Sequence, residues 1–307
     1  MKLLSMLLTC ALLASVSCAQ DTSVPEKSSQ EPTATFQSNV KLVSVFTTVV
    51  NKRGAPVAGL AKEDFAVAED GNPQEIKVFD RESELPLNII LAIDTSLSTR
   101  KDITLERESA RRFVHSLLRP VDALSLFQFS ENVDQLVPFT SSIQRIDKGI
   151  DHVRIGAATA LYDAIYLGSH ALADRDHRKV MVLITDGGDT MSRIDFNQAV
   201  RAAQESEAIV YSIIIVPIEA DAGRNVGGEN ALIQLSTETG GKHFYASGAA
   251  QLDTAFRQVS DELRTQYLIG YYPKKKLSDS DFRRIEVTLA KPALDYKVRH
   301  RTGYYTK

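Results

Sequence analysis

Two aspartates and three hydroxyl side chains are spaced along this sequence so that they could hold a hard divalent cation. Asp94-Thr-Ser96-Leu-Ser98 directly follows a continuous apolar run, Leu87 to Ile93. Asp186 follows a second apolar run in Ile184-Thr-Asp186-Gly187-Gly188, and Thr159 lies in the stretch Gly156-Ala-Ala-Thr159-Ala-Leu-Tyr-Asp163. Carboxylates and hydroxyls are oxygen donors. Mg2+ takes six oxygens in a near-octahedral array and usually keeps several waters, so few carboxylates suffice; Mn2+ and Ca2+ accept the same donor types. Ser96 and Ser98 alternate, and an extended loop would point both the same way. Asp and Ser at a strand end also serve as helix caps, so Thr159 and Asp186 are what turn the pattern into a ligand set. Asp163 reads as an exposed first-turn helix acid.

Other chemistries fit less well. The six histidines, His115, His152, His170, His177, His243 and His300, show no H-E-x-x-H or other zinc spacing. There is no phosphate-cradling G-x-x-x-x-G-K-S/T and no G-x-S-x-G elbow. A magnesium-dependent hydrolase with Asp94 as nucleophile is an alternative. Haloacid-dehalogenase-type phosphatases carry D-x-D-x-T after the first strand. Ser96 stands here at the third position, so the general acid is missing. The expectation is a binding module, not an enzyme.

The elements needed to position these residues are legible in the pattern. Leu87 to Ile93, Lys179 to Thr185 and Ala208 to Val216 are apolar runs, as expected of strands buried on both faces of a parallel sheet. Ala123 to Phe129 is a further strand, and Val133 to Pro138 a short edge strand. Ile103, Ala110, Phe113, Val114, Leu117 and Leu118 recur at helical spacing. Further helices are predicted over about 142–153, 161–173, 196–205 and 252–263, with a polar loop over 219–230, a short helix after it and a strand at His243 to Ala246. Alternating strands and helices imply a doubly wound α/β sheet, in which ligands bind at the carboxyl ends of the strands. All three candidate loops lie at such ends or can reach them.

The flanks are different. Val40 to Val50, Asp64 to Glu69 and Ile76 to Phe79 read as short strands before the α/β region. Gln266 to Tyr272, Arg284 to Ala290 and Tyr296 to Arg301 read as strands after it. The expected architecture is α/β: a doubly wound, mostly parallel sheet inserted in a small β-sandwich-like domain built from both termini. The boundaries are 39–84 and 265–307 for the two halves of the β domain and 85–264 for the insert. The chain of 307 residues is long enough for both. A net charge of -3 argues against a nucleic-acid partner, which would call for a basic surface.

Residues 1–19 have the layout of a secretory signal. Lys2 is followed by an apolar run from Leu3 to Val16, then Ser17, Cys18 and Ala19. Cleavage after Ala19 and lipidation at Cys18 are both readings of this segment, so a lipid anchor at Cys18 is the one membrane attachment considered. Both cysteines, Cys10 and Cys18, lie in the signal, and the mature chain would hold no disulfide. Residues 20–38, rich in Ser, Thr, Pro, Glu and Gln, read as a flexible tether. The expected location is secreted or periplasmic.

With these residues in view, the sequence resembles the von Willebrand factor A (VWA) family. The family's metal-ion-dependent adhesion site consists of D-x-S-x-S, a distant Thr and a distant Asp. Asp94, Ser96, Ser98, Thr159 and Asp186 fill all five positions in order. The likeness spans about Pro86 to Leu263 and includes Thr159-Ala-Leu-Tyr-Asp-Ala164 and Thr239-Gly-Gly-Lys-His-Phe-Tyr-Ala246. The flanking Asp64-Phe-Ala-Val-Ala-Glu-Asp70-Gly71, Tyr267-Leu-Ile-Gly-Tyr-Tyr-Pro273 and Gly303-Tyr-Tyr305 look like those of bacterial VWA-related secreted proteins often found in Acidobacteria. The resemblance implies a metal-dependent adhesion module whose ion accepts an Asp or Glu carboxylate from a protein or surface ligand. An assembly scaffold with a structural metal site is the alternative.

Overall fold

The computed structural model describes residues 42–81, 84–97, 103–216, 225–275, 282–291 and 295–306. The signal, the tether, Cys18, Ser98 and residues 219–224 of the polar loop lie outside the described residues.

In chain order the strands are β1 (Val43–Val50), β2 (Phe65–Glu69), β3 (Asn72–Gln74), β4 (Ile76–Asp80), β5 (Leu87–Asp94), β6 (Ala123–Phe129), β7 (Val133–Thr140), β8 (Arg178–Thr185), β9 (Ile209–Ile215), β10 (His243–Ala246), β11 (Tyr267–Tyr271), β12 (Phe282–Leu289), β13 (Lys297–Arg299) and β14 (Gly303–Tyr305). The helices are α1 (Ile103–Leu117), α2 (Ile143–Asp151), α3 (Leu161–Ala173), α4 (Phe196–Glu205), α5 (Val226–Glu238) and α6 (Ala249–Thr265).

The central sheet runs β10-β9-β8-β5-β6-β7 and is parallel except for β7. Its inner strands β5, β8 and β9 are largely apolar and buried because both faces are covered, whereas the edge strand β7 exposes Asp134 and Gln135. Leu87, Ile89, Leu91 and Ile93 of β5 face a core shared with α1, α2 and α6. Ile90 and Ala92 face a second core with α3, α4 and α5. The same alternation splits Val180, Val182 and Ile184 of β8 from Met181 and Leu183, as the two-residue period of a strand requires. The mixed α/β class with a mostly parallel sheet is as expected from the sequence.

The flanking strands form two four-stranded sheets, β13-β1-β11-β4 and β14-β12-β2-β3. Each joins strands from both ends of the chain. Val45, Phe65, Tyr267, Ile269, Ile285 and Val287 belong to one core between them. Two short strands escape the alternation pattern. Asn72–Gln74 contains Pro73, which removes a donor, yet it pairs with β2 at a sheet edge, where proline is tolerated. Gly303–Tyr305 is three residues long, too short for a periodicity to show. The helix read as short after the 219–230 loop is also corrected. It begins at Val226 and runs thirteen residues, because the Asn225 side chain caps it by accepting from the Gly228 N–H at 2.9 Å.

The amino ends of the central strands pack on this sandwich through buried polar groups. Arg178, the first residue of β8, is fully buried and donates to the Leu263 carbonyl at 2.7 Å and to Gln266 Oε1 at 2.6 Å. Gln266 Nε2 in turn donates to the Thr48 hydroxyl of β1 at 3.1 Å. Arg299 pairs with the buried Glu262 at 2.6 Å, and Arg301 donates to the Ser44 carbonyl at 2.8 Å. Thr185 ends the strand that Arg178 begins, so the opposite rim of the sheet lies about 23 Å away at 3.3 Å per residue.

Candidate metal centre

Order in the sheet makes β5 the turning point. The chain leaves β5 for β6 on one side and later adds β8 on the other, and such a switch point opens a crevice at the carboxyl ends. Parallel pairing continues through Ile93 and Ile184, which sets Asp94 beside Thr185. The Thr185 hydroxyl donates to Asp94 Oδ2 at 2.6 Å, and the Ser96 N–H donates to Asp94 Oδ1 at 2.9 Å. The Gly187 N–H donates to the Thr185 hydroxyl oxygen at 3.1 Å, which orients that hydroxyl toward Asp94.

The Thr159 loop is tied to the same rim from both sides. The Gly156 N–H donates to the Thr95 carbonyl at 2.8 Å, and the Ala160 N–H to the Ser130 carbonyl at 2.7 Å. On the other side, the N–H groups of Thr190 and Met191 donate to the Thr159 carbonyl at 2.8 and 3.0 Å. The Asp94, Thr159 and Asp186 loops are therefore held together by backbone bonds. Asp94, Ser96 and Thr159 are buried, and Asp186 is half-buried. Ser98 is not among the described residues.

The electrostatics match a site prepared for positive charge. Burial pushes the Asp94 carboxyl up to about 6; bonds from Thr185 and Ser96 oppose this, and the negative Asp186 adds to it. Burial beside a second negative charge disfavours ionisation of the Asp94 carboxyl, and a cation at the site would relieve this. The donors gathered here are all oxygens, as magnesium prefers. These residues fit a divalent cation.

Several supporting residues have roles that spacing alone did not assign. Asp189 caps α3 by accepting from the N–H groups of Leu161 and Tyr162 at 2.9 and 3.3 Å. Asp163, expected to be exposed, is half-buried. It accepts from the N–H groups of Arg193 and Ile194 at 2.9 and 3.2 Å, which pins the segment after Asp186. Glu131 accepts from the Ala157 N–H at 2.8 Å, and that bond leads the causes holding its carboxyl down at about 2. The position of Asp189, shortly after Asp186, carries no periodic signal. Its place beside Asp186 in the sequence puts Asp189 next to the candidate site, as it does Thr190, and leaves open whether either supports the site or is merely loop.

The loop of Asp186 also depends on close backbone packing. Gly187 has φ +87° and lies against Gly228 of α5; a Cβ on Gly228 would fall 1.6 Å from the Gly187 carbonyl oxygen. Gly228→Ala should therefore push α5 from the loop and destabilise the fold by about 2 kcal/mol, as overpacking does. Urea unfolding of the variant measures this, and an unchanged midpoint would show that the contact is not tight.

Residues 89–188 match the von Willebrand factor type A domain family. Among solved structures, a von Willebrand factor type A protein from Catenulispora acidiphila aligns with TM-score 0.50 and 12% identity, over 87% of this chain and 75% of that one. Proximal thread matrix protein 1 from the mussel byssus aligns with TM-score 0.52 and 15% identity, over 64% of this chain and 51% of that one. Both likenesses speak to the fold. A comparison with curated proteins finds no match. The matched segment begins inside β5 and ends just beyond Asp186, so the part of the chain that is similar to a von Willebrand factor type A domain spans the rim assembled above.

Proposed function

We propose that this protein is an extracytoplasmic binding module that holds a divalent cation, Mg2+ before Mn2+ or Ca2+, with Asp94, Ser96, Ser98, Thr159 and Asp186. The observation that carries this reading is the buried Asp94, tied to Thr185 and Ser96 and facing the like charge of Asp186. A bound magnesium would supply an electrophilic position for an Asp or Glu carboxylate of a protein or surface ligand. The chain's own part is to hold the donors in place. Thr185 and the Ser96 N–H fix the Asp94 carboxylate, and the Thr190 and Met191 N–H groups fix the Thr159 loop.

The sandwich supports this reading of geometry. Leu42 and β1 lie on the sandwich side, and the candidate site lies at the far rim of the central sheet. Export itself rests on Lys2 and the apolar run to Val16. Among the described residues no helix is long and apolar enough to cross a membrane.

Isothermal titration of the full chain with magnesium chloride tests the metal site. The native protein should give a saturable one-site isotherm, and Asp186→Ala should give none. Equal heats from both proteins would remove the proposed site.

A further inference from the structure

A cleft of about 830 Å³ opens on the outer face of the β14-β12-β2-β3 sheet, beside the carboxyl end of α5. Phe282, Arg284 and Glu286 of β12 share its floor, because a strand turns alternate residues to one face. The residues between them, Arg283, Ile285 and Val287, are buried in the sandwich. The turn at Asp70 forms one wall, and Glu238 of α5 another. Backbone bonds fix these walls. The Ile285 N–H donates to the Thr302 carbonyl at 2.9 Å, and the Thr302 N–H to the Glu238 carbonyl at 3.0 Å. None of these residues belongs to the candidate metal centre.

Most polar groups around the cleft are already engaged. Glu238 accepts from the Gln204 and Gln234 side chains at 3.1 and 2.7 Å. Asp70 accepts from the Arg284 N–H at 3.0 Å. His300 Nε2 accepts from the Val287 N–H at 3.1 Å, so its proton sits on Nδ1 and goes to the Arg301 carbonyl at 2.7 Å. Burial lowers this imidazole below its ordinary range, with the nearby Glu286 carboxylate opposing, and the ring forms a neutral wall. Two charges are left. Among the described residues, the side chains of Arg284 and Glu286 form no ion pair, with each other or with a neighbour.

One free cation and one free anion side by side select the ligand. A ligand with a single charge would cover the other without pairing it, and an unpaired charge is costly to take out of water. A zwitterion pairs both. Arg284 and Glu286 are two residues apart, about 6.7 Å along an extended strand. A dipeptide with free ends spans about 7 Å when extended, whereas a single amino acid spans about 3.5 Å. Only the longer ligand reaches both charges. The cleft has the volume of a small-ligand site, and the Phe282 ring offers an apolar contact on the same face.

We propose that this cleft binds a short zwitterionic peptide, its carboxylate on Arg284, its ammonium on Glu286 and a side chain against Phe282. The proposal is independent of the metal reading.

Isothermal titration of the full chain with the dipeptide Leu-Leu tests it, alongside the N-acetylated dipeptide, the C-amidated dipeptide and free leucine. The free-ended dipeptide should give a saturable isotherm, and either cap should weaken it about tenfold or more. Arg284→Gln should bind the free and amidated dipeptides alike, and Glu286→Gln the free and acetylated ones alike. Both positions are exposed on β12, so the urea midpoint of each variant should match that of the native protein. The magnesium isotherm should be the same in all three proteins. No saturable binding of Leu-Leu, equal affinity for the capped forms, or free leucine binding as tightly as the dipeptide overturns the proposal. A full response to both caps in either variant overturns it as well.

Discussion

Asp94→Asn should make the metal-free protein more stable at neutral pH, by at most about 3 kcal/mol, and abolish its response to magnesium. The carboxyl of Asp94 is fully buried, and burial lifts it from 3.8 to about 6. A shift of that size corresponds to about 3 kcal/mol of preference for the neutral form in the folded state. The sign follows from proton binding. Between about pH 4 and 6 the folded chain holds a proton that the unfolded chain releases, so stability falls as pH rises through this window. Above about 6 the folded chain carries the whole ionisation cost.

Asn removes the charge and keeps an oxygen for the Ser96 N–H. The Thr185 hydroxyl would have to reorient toward the new amide, which consumes part of the gain. Urea unfolding in chelator, at pH 5 and pH 7.5, compares the two proteins. Native stability should drop between these values through this group, and the variant should lack that drop. A variant less stable than the native protein at pH 7.5 would falsify the account. Magnesium should restore the native protein and leave the variant unchanged, because a ligand that binds only the folded state stabilises it in proportion to its affinity.

The other large effect is expected at the opposite end of the molecule. Glu69 ends β2 and is 2% exposed. Its Oε1 pairs with Arg283 of β12 at 2.9 Å, and its Oε2 accepts from the hydroxyls of Tyr271 and Tyr304 at 2.8 and 2.9 Å. Arg283 is 1% exposed and also donates to the Lys275 carbonyl at 3.0 Å. Burial and the neighbouring Glu69 raise both phenols, so they stay protonated donors throughout the ordinary pH range. One carboxylate thus binds β11, β12 and β14 at once.

Glu69→Ala leaves a buried guanidinium and two phenols short of an acceptor. The expected loss is about 3–5 kcal/mol. Replacing both ions, as Glu69→Leu with Arg283→Met, should cost much less, since paired apolar groups need no partner. Urea midpoints of the three proteins decide it; a double variant as unstable as Glu69→Ala would show that packing, not charge pairing, holds the sandwich. Magnesium affinity of the folded fraction should not change in either variant, because the candidate site lies at the other rim.

How much of this was legible beforehand differs by element. The strands Leu87 to Ile93 and Lys179 to Thr185 announce themselves, since burial on two faces demands uninterrupted apolar residues. Helices α3 and α4 begin and end where the periodicity says they do, at Leu161, Ala173, Phe196 and Glu205. The three-residue strands β3 and β14 were lost because so few residues cannot show a period. Asp163 was misread because its partners, the Arg193 and Ile194 amides, are about thirty residues away.

The quartet around Glu69 illustrates the same limit. Glu69, Tyr271 and Tyr304 lie in the three flanking stretches quoted above and Arg283 lies outside them, and nothing in their spacing says that one carboxylate joins them. The local sequence was sufficient for the α/β class and the order of its main elements, because apolar period and residue type are properties of neighbours along the chain. Burial of Asp94, its tie to Thr185 and the meeting of three loops depend on which strands pair and which faces are covered. Those are contacts between residues far apart in sequence, and only the folded chain decides them.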